Sequence, residues 1–85
     1  MPRNRSEKDV PTEVWSSGTK VWLDDDRLYH RESGPAVESS LGSEEWYIHG
    51  LRHRENGPAI EWSDGAKEWW HQGRFTRREA PGDAA

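Results

Sequence analysis

The chain has no cysteine. Disulfides and thiolate metal centres are therefore excluded, and a reducing compartment suits it. Long apolar runs are also missing. No stretch is long enough to cross a bilayer as a helix, and the N-terminus has no apolar segment of the kind that directs secretion. A cytoplasmic protein without membrane contact is expected. Basic charge is scarce: twelve Lys and Arg face sixteen Asp and Glu, for a net charge of −4. Direct binding to nucleic acid needs a basic stripe to neutralise phosphates, so this balance argues against it. Uninterrupted helix-forming stretches are absent, because Gly or Pro recurs too often for a helix of about eleven residues. One helical turn has room only near the C-terminus, over 75–80. No nucleophile–base pair, phosphate loop or paired-carboxylate motif is visible. No enzyme activity, catalytic residue or cofactor is therefore expected.

What is present begins with tryptophan. A hydrophobic content of 31% against 33% charged residues would suit a disordered chain, but six Trp oppose that reading. Each buries on the order of 200 Å2, so a few can replace an aliphatic core. At 85 residues the chain has room for one domain with a thin core.

One phrase then organises the rest. His30-Arg31-Glu32-Ser33-Gly34-Pro35-Ala36-Val37-Glu38 returns twenty-three residues later as His53-Arg54-Glu55-Asn56-Gly57-Pro58-Ala59-Ile60-Glu61. A fixed period of this size marks a repeat architecture. Around the phrase, short β-branched and aromatic runs alternate with turn residues. Residues 13–16 open the ordered part. Gly18, Gly42 and Gly65 turn the chain into runs centred on Trp22, Trp46 and Trp69. Asp24-Asp25-Asp26, His49-Gly50 and Gln72-Gly73 make the next turns, and residues 27–30, 51–53 and 74–76 return. The reading is an all-β, single antiparallel meander of hairpin repeats over 13–79. A flexible N-terminal arm is expected over 1–12 and a disordered tail over 80–85.

The pattern G-x-x-x-W-x-x-x-G-x-x-H-R-x-x-G-P-A, carried by Gly42, Trp46, Gly50, His53, Arg54, Gly57, Pro58 and Ala59, resembles the bacterial and phage variant of the MORN repeat. The third unit keeps Gly65, Trp69, Gly73 and Arg77 but has Thr76 in place of His. The first has Arg27 in place of the turn Gly. The resemblance implies stacked β-hairpins in an elongated sheet, and binding or scaffolding roles, including phage-encoded and antitoxin-like proteins. It implies no enzyme activity.

Residues that recur in every unit are expected to hold the unit together, and function is sought where the repeat breaks. His30 and His53, in equivalent positions of successive units, should lie about 10 Å or more apart, too far to share an ion, so no metal site is assigned. Each His is expected to hydrogen-bond turn backbone, and each Arg to pair with Glu38 or Glu61. Gly34 and Gly57 are expected to supply a positive φ before proline. The acidic turn Asp24, Asp25 and Asp26 reads first as solvated, then as a docking patch. Trp22, Trp46 and Trp69 are expected to form the core row. Leu23, Tyr47 and Trp70 alternate to the opposite, exposed face, and Trp15 and Trp62, which align with Ser39, are compatible with either set. Tyr29, Tyr47, His49, His71 and Trp70 join the acidic turn as partner-binding candidates.

These features fit a protein-binding module, foremost a small inhibitor of the phage anti-defence type. Its acidic and aromatic surface would block a basic partner such as a nucleic-acid-binding complex; residues 13–79 carry thirteen acidic and nine basic side chains. The alternatives are an antitoxin or immunity protein, and a scaffold or homodimer joined by sheet edges or faces. A nucleotide-binding sponge with Trp-lined grooves stands behind these.

Overall fold

Turn residues recur along this chain, so the strands between them are short. The computed structural model describes residues 10–81. The strands are β1 (Glu13–Val14), β2 (Lys20–Val21), β3 (Val37–Glu38), β4 (Glu44–Glu45), β5 (Tyr47–Ile48), β6 (Leu51–Arg52), β7 (Ile60–Glu61), β8 (Lys67–His71) and β9 (Arg74–Glu79). Seven form one sheet in the order β1-β2-β3-β4-β7-β8-β9, while β5 and β6 pair separately. All pairings are antiparallel. The expected all-β class is therefore correct. No helix among the described residues is long and apolar enough to cross a membrane. Of the arm expected over 1–12, only 10–12 are described, and Thr12 is fastened: its N–H donates to the Val21 carbonyl at 2.8 Å. Of the tail expected over 80–85, 82–85 lie outside the described residues.

Between the strands of the main sheet the chain makes excursions, and each excursion leans on the next. Leu23 and Tyr29 form a bridge in the first, and β5 pairs with β6 in the second. The Gly50 N–H donates to the Tyr29 carbonyl at 2.7 Å, and the Gly73 N–H to the Arg52 carbonyl at 2.8 Å. Both glycines sit at φ 84°, behind His49 at 46° and Gln72 at 49°. Two consecutive left-handed residues make the two-residue hairpin turn that matches strand twist.

The core corrects one expectation. Sheet register aligns Val21 with Val37, and Ile60 one strand beyond Glu45. Val21, Val37 and Ile60 are buried, with Ala36, Ala59 and Ala66 beside them. Trp22 is buried with this set, but Trp46 and Trp69 are only half-buried. Arg31, Arg54 and Arg77 place guanidinium carbons 3.8, 3.9 and 4.5 Å from the ring centroids of Trp22, Trp46 and Trp69. A planar cation over an indole face shields it, and all three rings carry one, the buried Trp22 as well as the half-buried pair.

The glycine of the repeated phrase is corrected too. Gly34 and Gly57 do not adopt a positive φ. A Cβ built on either would lie 3.0 Å from the guanidinium carbon of Arg31 or Arg54. Glycine is required there because the arginine passes so close. The arginine then donates to the carbonyl of Pro35 or Pro58, both at 3.1 Å, and to Glu38 at 3.2 Å or Glu61 at 3.3 Å. The expected Arg–Glu pairs are thus present. The stretch with room for a helical turn, 75–80, is strand instead: β9 continues to Glu79. A bulge lets it do so, since Trp69 pairs with Arg77 and Trp70 with Phe75. Thr76 falls between them and donates its hydroxyl to the Trp69 carbonyl at 3.0 Å.

Candidate functional site

The acidic turn is less solvated than its composition implies. Asp24 Oδ1 accepts the N–H of Asp26 at 2.8 Å and of Leu28 at 3.0 Å, which closes the loop on its own side chain. Its Oδ2 lies 2.7 Å from His49 Nδ1 on the next hairpin. The His49 contact, followed by the Leu28 N–H, holds the Asp24 carboxyl below its ordinary value. Asp24 is a structural carboxylate, whereas Asp25 and Asp26 are exposed. The turn ends on Arg27, which takes φ 66° without a glycine and reaches Glu13 at 2.6 Å.

The imidazoles meet in pairs that spacing did not show. His30 and His49 stack with ring centroids 4.0 Å apart, and His53 and His71 are tilted at 4.6 Å. His30 Nδ1 accepts the backbone N–H of His49, and His53 Nδ1 accepts that of Gln72, each at 2.9 Å. Each histidine therefore bonds turn backbone as expected, but the turn belongs to the following hairpin. An accepting Nδ1 puts the ring proton on Nε2, and His53 Nε2 lies 3.0 Å from Glu55 Oε2.

Asp24, His30 and His49 gather within 4.8 Å, as do His53, Glu55 and His71, so each group brings together donors of the kind that could hold a metal ion. The separation argued from sequence concerned His30 with His53; the histidines that meet are His30 with His49 and His53 with His71.

Tyr29, Tyr47 and Trp70 form one row on the other side of the excursions. Tyr29 and Tyr47 have ring centroids 5.1 Å apart. Arg52 lies 5.8 Å from the Tyr47 centroid and 4.9 Å from that of Trp70, and Phe75 closes the row edge-on to Trp70 at 5.5 Å. Tyr47 donates its hydroxyl to Glu45 at 2.7 Å, and Trp70 its indole N–H to Glu68 at 3.0 Å. Burial, reinforced by Glu45, pushes the Tyr47 phenol up to about 12. Of the expected exposed row, Tyr47 and Trp70 are thus half-buried and hydrogen-bonded, while Leu23 lines the groove beside Trp22 and Asp24; the open end of the aromatic row is Phe75, 53% exposed.

The predicted residues therefore divide between two sides. Asp24, Asp25, Asp26 and His49 line a groove of about 840 Å3 with Trp22 and His30. His49 also lines an adjoining groove of about 660 Å3, whose apolar residues are Trp46, Ile48 and Leu51. Tyr29, Tyr47 and Trp70 line neither, and nor does His71. Sequence reasoning missed Glu32, Glu55, Ile48 and Leu51. Strand alternation from Trp46 already placed Ile48 beside it, but Glu32 and Glu55 were hidden inside the phrase read as structural. Comparison with family models, with curated proteins and with solved structures finds no match for this chain.

Proposed function

We propose that this chain is a non-enzymatic, cytoplasmic protein-binding module: a single meander of MORN-like hairpins with a unit of about twenty-three residues. In this reading it is a small inhibitor of the phage anti-defence type, which covers a basic surface of a nucleic-acid-binding complex. The observation that carries the reading is how the charges are divided. The recurring arginines 31 and 54 are turned onto their own Trp, Pro carbonyl and Glu, so they serve the joints. Carboxylates stay at the surface: Asp25 and Asp26 are exposed, and the side chains of Glu32 and Glu55 are 66% and 69% exposed. Such a surface attracts a basic partner and repels free nucleic acid.

A second reading, assembly through a sheet edge, rests on β9. This is the last strand of the sheet, with five exposed residues followed by half-buried Glu79. Open edges of that length invite pairing with a second copy.

Affinity capture from the native host with the tagged chain, followed by mass spectrometry, tests the first reading. Recovery of one nucleic-acid-handling protein after nuclease treatment supports it. Recovery of a toxin encoded beside the gene would convert it to an antitoxin. Capture of the chain's own copies alone would favour the edge-paired assembly.

A further inference from the structure

The two grooves are one trough. Arg31, Glu32 and His49 line both, so the concavity continues from the acidic turn across the next hairpin. Its apolar centre is built by register: Ile48 and Leu51 are partners across β5 and β6, with Trp46 beside them. Leu51 is 51% exposed, a large apolar side chain left to solvent in a concave site. The exposed charges of the rim are Asp25, Asp26, Glu32 and Glu55, all acidic. The arginines beside them lie flat on Trp22 and Trp46 and pair with Glu38 and Glu61.

Glu32 and Glu55 hold the same place in successive hairpins. Two strands per hairpin put such places roughly 10 Å apart. A polyproline-II segment has three residues per turn at about 3.1 Å per residue, so every third side chain returns to one face after about 9 Å. We propose that the trough binds a polyproline-II segment of a partner protein with a basic side chain at about every third position and a large apolar side chain between. The basic groups meet Glu32, Glu55 and the acidic turn, and the apolar group rests on Ile48, Leu51 and Trp46. This inference rests on the protein-binding reading and names the partner's chemistry. Nucleic acid is disfavoured, because its phosphates would face four carboxylates.

The test is an amide and indole NMR titration of the full chain with the capped hexapeptide Arg-Leu-Gly-Arg-Leu-Gly. The controls are the same peptide with Glu for Arg and a single-stranded oligonucleotide. Saturable shifts are expected at Ile48, Leu51 and the Trp46 indole, and affinity should fall about tenfold or more in E32K/E55K. The variant E44K, on the sheet away from the trough, should bind like the parent. E32Q/E55Q replaces the reversal if that variant loses its dispersed spectrum. No saturable binding, equal binding of the Glu peptide or the oligonucleotide, or shifts confined to β9 would each overturn the inference. If the peptide fails while a whole protein is still captured through Asp25 and Asp26, the trough proposal falls and the module reading stands.

Discussion

Gly57 shows how one atom decides a joint. Its backbone lies outside the left-handed region, so alanine is conformationally allowed and would ordinarily stabilise the chain by limiting its unfolded states, by about 0.4–1 kcal/mol. Here the new methyl meets the Arg54 guanidinium, which is held by Pro58, Glu61 and Trp46. G57A should therefore destabilise by about 1 kcal/mol through loss of a charge-assisted hydrogen bond or the ring contact. In an R54A background the same change should become neutral or stabilising. Denaturant unfolding of the four-member cycle checks the reversal of sign. Asp24 makes a second residue-scale case. Its folded-state value is depressed below the ordinary 3.8. Such a carboxylate adds stability above that ordinary value and loses the contribution as pH falls through the folded one. The urea midpoint of wild type should exceed that of D24N at neutral pH, and the gap should close in acid. A gap independent of pH would show that the carboxylate charge is not what the turn uses.

Hairpins are joined by histidine, one to the next. His53 Nδ1 holds the amide of Gln72, the left-handed first residue of the following turn. A net hydrogen bond is worth about 1 kcal/mol, or roughly fivefold in local opening. H53F should accelerate amide exchange at Gln72 by about that factor. The His49 amide, held by His30, supplies the internal control and should not change. Equal acceleration at both amides would mean general loosening instead. At this scale much was legible beforehand. The positions of the turns followed from His49-Gly50, Gln72-Gly73 and the acidic run. The pairing of Arg31 with Glu38 and of Arg54 with Glu61 followed from their common spacing. What stayed hidden were contacts between units. Sequence spacing measures distance along the chain, so it compared His30 with His53 and did not show that His30 meets His49. It also ranked Trp above Val and Ala for the core. Residue size says nothing about cover: Val21 and Ile60 are buried, while Trp46 and Trp69 lie half-buried under arginine.

The described structure measures 48 × 28 × 20 Å, long for so short a chain. Short antiparallel strands laid side by side give such a shape and offer surface rather than an enclosed cavity. This sorts the polar groups by role. Those that recur, the histidines and arginines of the phrase, hold the stack. Those at the rim are carboxylates: Glu55 lies 3.0 Å from His53 Nε2, whereas Asp25 and Asp26 are exposed. Recruitment of a partner by Asp25 and Asp26 is the role proposed for this surface, and the association rate of the captured partner with wild type and with D25K/D26K at low salt tests it most directly. Steering by a complementary field predicts a rate at least about tenfold slower for the variant, with the difference shrinking as salt rises. Equal rates at low salt would contradict the claim.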